Sequence, residues 1–281
     1  MTKNTQPKVT VVTVTFNCKA VVERTIQNVL KQTYPNIEYI IIDGASTDGT
    51  RQVIERYADR LTYWTSEPDN GIYEAMNKAI MKASGEWIIF RNAGDYFFSP
   101  TTIADVFAWY RDKGEAFITG GTRTFQHDGY YDYYFSPLKR DFWCHNYVSH
   151  PATFIRTTVQ KHLPYNTNLR IAADYELFCK MHLRHYCFCC YTGIVTLFDG
   201  ETGISSKSKR LAYKEKIVVA QQLQAPRHII KRLKKQYYRM CLREWPLRIA
   251  AHIRPLNALY RKMAFGNRWH KAKLDNILNN I

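Results

Sequence analysis

The sequence predicts an α/β protein, a mostly parallel sheet flanked by helices, followed by a basic helical C-terminal extension. Three observations predict it. Strand-like, β-branched runs alternate with helix-spaced apolar runs over the first hundred residues. Several of those strands break at their C-terminal ends into small polar residues, and that edge of an open α/β sheet is where ligands sit. The charge is also partitioned. Residues 1–206 hold 21 Lys+Arg against 21 Asp+Glu, whereas 207–281 hold 19 against 3, so the net charge of +16 belongs to the last segment.

The elements follow in order. Lys8–Asn17 (KVTVVTVTFN) reads as a central strand ending in Thr15, Phe16 and Asn17. Val21, Val22, Ile26, Val29 and Leu30 have helical spacing, and Tyr34-Pro35-Asn36 ends that helix. Ile37–Ile42 is a second strand running into DGASTDGT, where Thr47 or Asp48 is placed to cap the next helix, Val53–Ala58. Leu61–Trp64 is a short third strand. Asp69-Asn70-Gly71 then turns into a helix that puts Ile72, Ala75, Met76 and Ala79 on the sheet, with Tyr73, Asn77 and Lys78 as polar groups near its start. After Gly85, Trp87–Phe90 is a buried strand breaking into Arg91-Asn92-Ala93-Gly94-Asp95. There Gly94 lets phosphates approach the backbone and Asp95 can hold a hard cation, although Asn, Gly and Asp are also ordinary turn residues. Strand–helix repetition of this kind makes a parallel sheet with right-handed crossovers.

Composition narrows the classes. With 46% hydrophobic residues in 281, the chain can bury one large core or two small ones. No apolar run reaches the ~18 residues of a membrane span, and the polar MTKNTQPK leads straight into a strand, so no signal peptide is expected. Seven cysteines without framework spacing fit a reducing cytosol. His182, His185, Cys187, Cys189 and Cys190 match no common zinc spacing and read as a strand with buried thiols. The charge-neutral first 206 residues argue against a nucleic-acid binder.

The motifs VTVVTVTFN, IIIDGASTDGT, EPDNGIYEAMNKAI and SGEWIIFRNAGDYF, in this order, resemble a family 2 glycosyltransferase of the GT-A (Rossmann-like) fold, over roughly residues 8 to 205. The wording is most similar to small bacterial polysaccharide-assembly transferases with an NAGD-type motif. The resemblance implies a nucleotide-sugar donor, a divalent metal (Mg or Mn), and a saccharide or lipid-linked saccharide acceptor. It implies that Thr15 and Phe16 line the base and ribose pocket, that Asp43 meets the ring edge of the base, and that Asp69, Asn77 and Lys78 sit near ribose and diphosphate. Asn92, Ala93, Gly94 and Asp95 stand in the place of the family's metal-binding D-x-D motif. Asn92 and Gly94 replace its two carboxylates, leaving Asp95 as the metal ligand beside the diphosphate. Asp174 matches the aspartate of the family's E-D motif, with Ala173 in place of the glutamate, and would be the general base of an inverting transfer; it could instead cap its helix, with Glu176 as the base. Gly203 and Ser205 would close over the donor phosphates, while His150 and Glu176 would face the acceptor.

The aromatic-rich residues 125–150 fit either rings stacked on sugars or a hairpin with cross-strand aromatic pairs. The expected organisation is a catalytic domain over 1–206 (donor half 8–100, acceptor half 101–206) and an extension over 207–281. In the extension, Ile229, Ile230, Leu233, Tyr237 and Cys241 share one side of a basic helix. Such a helix can lie on an anionic membrane, pack on the body or bind nucleic acid, and the first suits a cytoplasmic enzyme at the inner membrane face. The competing reading, from the missing D-x-D carboxylates, is an impaired GT-A domain that binds nucleotide-sugar as a membrane-docked scaffold.

Overall fold

A computed structural model of the chain describes residues 6–126, 129–134, 142–144, 148–200, 208–250 and 270–271; Gly203 and Ser205 lie outside them. Three strands, β1 (Val9–Thr15), β2 (Ile37–Asp43) and β3 (Tyr63–Ser66), alternate with α1 (Lys19–Leu30) and α2 (Thr50–Glu55). Then come α3 (Ile72–Lys82), β4 (Trp87–Phe90), β5 (Tyr96–Phe97) and α4 (Thr102–Trp109). The second half contains β6 (Phe117–Gln126), β7 (Gly129–Tyr133), β8 (Thr153–Arg156), α5 (Thr157–His162), α6 (Ala173–Leu183) and β9 (Phe188–Asp199). It is followed by α7 (Lys209–Gln222), α8 (Arg227–Ala250) and the two-residue β10 (His270–Lys271).

The sheet runs β10-β7-β6-β8-β4-β1-β2-β3, with β9 joined to β5 and β6. The expected parallel arrangement occupies β4-β1-β2-β3. Beyond it β8 and β7 are antiparallel to their neighbours while β9 runs parallel to β6, so the acceptor half is mixed. Period-2 alternation distributes the apolar strands between two cores, as a sheet covered on both faces requires. Val12, Val14, Ile40, Ile42, Ile88 and Phe90 face α3 and α6, whereas Val9, Val11, Tyr39, Ile41, Trp87 and Ile89 face α1, α2 and α4. The hairpin reading of the aromatic stretch describes β6–β7, where Phe125 opposes Tyr130 with ring centroids 5.6 Å apart.

Both ends of the parallel strands carry a buried carboxylate. At the N-terminal end, Glu38 accepts from Thr10 Oγ1 (2.5 Å), Ser84 N (2.8 Å), Ser84 Oγ (2.5 Å), Gly85 N (3.2 Å) and Lys8 Nζ (3.1 Å). Burial raises its pKa, but the bonds from Ser84, Thr10 and Lys8 outweigh that and hold it at about 2. The C-terminal end is different and forms the candidate site.

The segment after residue 206 does not stand apart at its start. Val219 and Ala220 of α7 and Ile229 and Leu233 of α8 are buried in the same core as α3 and α6. The apolar side of α8 is thus a packing face, and its Lys231, Lys234, Lys235, Tyr238 and Leu242 point outward. Among the described residues no helix is long and apolar enough to cross a membrane.

Candidate functional site

Register assembles the site's floor. Thr15 pairs with Asp43 and Asp43 with Ser66, so the last residues of β1, β2 and β3 form one row. Ala93 N donates to Val14 O at 3.2 Å, extending the row to the segment after β4. Two loops are cross-tied over it. The Asp48 carboxylate accepts from Lys19 N (3.0 Å) and Thr50 N (2.9 Å), so it caps the first turns of both α1 and α2. Asn17 N donates to Ser46 Oγ (2.8 Å), and Thr47 N to Asn17 Oδ1 (3.0 Å).

Asp43 is buried and takes hydrogen bonds from Ser46 Oγ (2.5 Å), Ser46 N (3.0 Å) and Ser66 Oγ (2.6 Å). Phe16 stands 60% exposed beside it, an apolar ring left in water at a strand edge. Gly44 brings Phe16 and Asp69 together: a Cβ there would lie 2.7 Å from Asp69 Oδ2 and 3.4 Å from the Phe16 ring. Phe16 and Asp69 thus meet at Gly44, the residue after Asp43, which is itself paired with Thr15.

Two expected donor contacts are committed elsewhere. Asn77 spends both ends of its amide on the Tyr165 backbone (2.8 and 2.9 Å), tying α3 to the segment before α6. Lys78 is held by Pro68 O (3.0 Å), Glu67 (3.2 Å) and Glu74 (3.6 Å). Both side chains are held by protein groups, Asn77 between α3 and Tyr165 and Lys78 beside Glu67 and Glu74.

After β4 the chain turns at Gly94, whose φ of +99° is a left-handed conformation that favours glycine and whose N–H donates to Thr25 Oγ1 (3.0 Å). Asp95 is buried, and burial pushes its carboxyl up to about 7 against the lowering effect of Arg91 and the Asn92 N–H; the Asp199 charge adds to the rise. Arg91 is fully buried, donates to Pro151 O and lies 3.9 Å from the centroid of the Phe97 ring; burial lowers its pKa to about 9. Among the described residues eight buried side-chain atoms lack a hydrogen-bond partner, and four of them are here: Thr15 Oγ1, Arg91 Nε and Nη2, and Asn92 Oδ1. Buried polar atoms are normally satisfied, so such a concentration marks a place built for a ligand. The Asp95 carboxylate and the Asn92 amide oxygen are hard donors that suit a divalent cation. No group of three or more His, Cys, Asp or Glu side chains gathers as a metal cluster among the described residues.

The second centre is the start of α6. Asp174, half-buried in the first turn of α6, is 3.4 Å from the Tyr73 hydroxyl, which also donates to Ile171 O at 2.6 Å. Its charge also acts on Tyr165, His150 and Lys216. The N-cap of α6 is Ala172, so Asp174 is not the cap. His150 does not face an open acceptor surface. It is buried, stacked on Phe90 (5.3 Å between centroids) and bonded through Nε2 to Tyr165 Oη at 2.6 Å; burial lowers its pKa. Glu176 is likewise buried, its Oε1 paired with Lys180 (3.2 Å) and Asn166 (3.3 Å). His150 Nε2 and Glu176 Oε1 are thus engaged inside the protein, and neither side chain lies on an exposed surface.

Three residues that matter here escaped the sequence reading. Arg91, a charge directly after an all-apolar strand, was the signal for a buried guanidinium. Tyr165 had no local signal. Glu215 did: it is the one acid among the basic residues from Lys207 to Arg243.

Comparison with known proteins agrees with this geometry. The model of glycosyl transferase family 2 matches residues 10–190. The chain belongs to that family. An uncharacterized glycosyltransferase of Mycobacterium tuberculosis is 38% identical over 109 residues, covering 38% of this chain and 42% of the relative. A putative teichuronic acid biosynthesis glycosyltransferase of Bacillus subtilis is 36% identical over 95 residues, covering 33% and 38%. The chain thus spans about two fifths of the length of these curated relatives. Among solved structures, S. aureus TarS 1–349 in complex with UDP-GlcNAc aligns at TM-score 0.65 and 19% identity, over 80% of this chain and 70% of that one. The Pyrobaculum calidifontis mannosyltransferase in complex with GDP-Man and Mn²⁺ aligns at 0.62 and 20%, over 92% and 79%. These likenesses establish the GT-A type of fold.

Proposed function

We propose that this protein transfers a sugar, with inversion, from a nucleotide-sugar donor to a saccharide or lipid-linked saccharide in bacterial surface polysaccharide assembly. One observation carries the reading. The strand ends hold orphaned polar atoms (Thr15, Asn92, Arg91) and a raised-pKa carboxylate (Asp95), and a second carboxylate, Asp174, sits in the first turn of α6, its charge reaching the same His150 on which Arg91 acts. The first centre suits a nucleotide diphosphate; the second suits deprotonation of an acceptor hydroxyl.

In this reading Phe16 and Thr15 take the base and ribose, Asp43 the ring edge, and Asp69 the ribose. The backbone at Gly94 admits the diphosphate. Asp95 and Asn92 Oδ1 would hold a Mg or Mn ion, whose chemistry when bound is to neutralise the departing diphosphate. Asp174 accepts the acceptor's proton, held in place by the Tyr73 hydroxyl. Gly203 and Ser205, which follow β9, are proposed to close over the phosphates. The relative named for teichuronic acid biosynthesis and the GDP-Man and UDP-GlcNAc complexes of the structural neighbours support this class of donor and acceptor.

The outward stripe of Lys231, Lys234, Lys235, Tyr238 and Leu242 on α8 is proposed to rest on an anionic membrane at the cytoplasmic face. Lys231→Glu/Lys235→Glu should release the protein from phosphatidylglycerol vesicles; unchanged co-sedimentation would remove the membrane role.

The deciding experiment measures nucleotide release from a panel of UDP-, GDP- and dTDP-sugars with Mg²⁺ or Mn²⁺, for wild type, Asp95→Ala and Asp174→Asn. Loss of release in both variants is expected, and full release in both would overturn the site. Nucleotide-dependent heat stabilisation without any turnover by wild type would favour the scaffold reading, which the missing D-x-D carboxylates support.

A further inference from the structure

The base-bearing turn is held by a residue from outside the segment that the family model matches. Helix starts leave backbone N–H groups without intrahelical partners, and a side-chain oxygen at the N-cap usually meets one of them. The N-cap of α6 is Ala172, which has no such oxygen. Glu215 of α7 holds the turn leading into the helix rather than the helix's own orphan N–H groups: Oε1 accepts Arg170 N, and Oε2 accepts Ile171 N and Ala172 N, each at 2.9 Å, while Asp174 Oδ1 itself meets Tyr175 N at 2.7 Å. The Ile171 carbonyl is held by the Tyr73 hydroxyl (2.6 Å), so this peptide stretch is gripped by α7 on its donors and by α3 on an acceptor. The next residue of α7 is Lys216. Its ammonium lies 5.2 Å from the ring centroid of Tyr175, the residue after Asp174, and 5.7 Å from that of Tyr213.

A clasp of this form is more than fold stability requires. A local Asp or Asn turn could hold the N–H groups of such a segment from within it. Reaching from α7 instead makes the placement of Asp174 depend on a carboxylate and a cation that arrive together on one helix turn. We infer that Glu215 and Lys216 are positioning residues of the transfer reaction: Glu215 fixes the turn that presents Asp174, and Lys216 holds the ring of Tyr175, the next residue. The inference rests on the reading of Asp174 as base. The groups around Asp174 are Tyr73 from α3, Tyr165, His150, Cys179 from its own helix and Lys216 from α7. His150 and Lys216 both have pKa values lowered by burial, and Asp174 draws both back up.

The test compares Glu215→Gln, Lys216→Met, Lys216→Arg and Asp174→Asn in the full chain. It follows UDP or GDP release from whichever of UDP-glucose, UDP-N-acetylglucosamine and GDP-mannose the wild type turns over, with Mg²⁺. UDP and GDP thermal shifts report folding and donor binding separately. Glu215→Gln should lower kcat by about tenfold or more while donor KM stays within about twofold, since a base displaced by an ångström loses far more rate than binding. Lys216→Met should lower kcat about threefold at unchanged donor KM, because the Tyr175 ring next to Asp174 loses the cation packed over it; Lys216→Arg should restore it. A stability role alone would lower the thermal shift and leave kcat per folded molecule unchanged. If Asp174→Asn abolishes release while Glu215→Gln and Lys216→Met both keep kcat, the positioning inference is wrong and the base assignment stands. Full activity in Asp174→Asn would instead remove the base assignment. Should Glu215→Gln fail to fold, the Lys216 pair decides the matter.

Discussion

Glu38 and Asp95 are both buried carboxylates in the same sheet, at opposite ends of its parallel strands. Glu38 is surrounded by donors and sits at a pKa of about 2; Asp95 has burial working against it and sits at about 7. The difference is one of function. At the N-terminal end the chain supplies every hydrogen bond and the charge ties β1, β2 and β4 together. At the C-terminal end the chain leaves oxygens and guanidinium nitrogens unsatisfied, a cost that a bound ligand can repay.

The comparison can be tested by substitution. The largest effect is expected at Asp95→Asn. Removing a charge that burial disfavours should stabilise the ligand-free protein at pH 8, by up to about 4 kcal/mol less what the buried Arg91 loses with its charged neighbour. The same change should cut nucleotide release by at least about 100-fold. Urea melts beside rate measurements check both, and a destabilised, active variant would break the comparison. Glu38→Gln should do the reverse, with about 3 kcal/mol of stability lost at neutral pH and an unchanged donor KM per folded molecule.

The two carboxylates also titrate in separate windows. Asp95 binds its proton more tightly in the folded chain, so its contribution falls as pH rises from about 4 to about 7. Glu38 contributes fully above its ordinary value of 4.5, and its share is lost as pH drops towards about 2. Melts of Asp95→Asn and Glu38→Gln across pH should each flatten one limb. Mn²⁺-dependent heat stabilisation by UDP or GDP should weaken below pH about 7, as protonated Asp95 gives up the cation. The smallest change is Ser84→Ala, which removes one hydroxyl from Glu38 and should cost about 1 kcal/mol with no effect on turnover.

Much of the donor half was legible because its signals are local. β-branched runs fix strands, alternation fixes which side chain meets which core, and polar breaks such as Phe90-Arg91-Asn92 locate the ligand edge. The third strand lies at Tyr63–Ser66, two residues later than the apolar pattern alone suggests, because Ser66 pairs with Asp43. The errors arose where polar atoms find distant partners. Asn77 looked like a donor contact until Tyr165 took both ends of its amide, 88 residues away in sequence. His150 and Glu176 carry the right chemistry for an acceptor, but both are buried, with His150 Nε2 held by Tyr165 and Glu176 Oε1 by Lys180 and Asn166. Periodicity records which face a residue presents; it holds no record of which distant backbone claims a side chain.

The Glu215 clasp also has a consequence in time. A ribosome delivers the strand ends around Thr15, Asp43 and Asp95 before it delivers α7, but a domain folds as a unit, and Val219, Ala220, Ile229 and Leu233 complete the core shared with α3 and α6. The carboxylate that closes on Arg170, Ile171 and Ala172 therefore arrives with the last part of that core. A nascent chain stopped short of residue 215 is expected to lack both the clasp and the core beneath it, so that the last helices bring stability and the placement of Asp174 in one step.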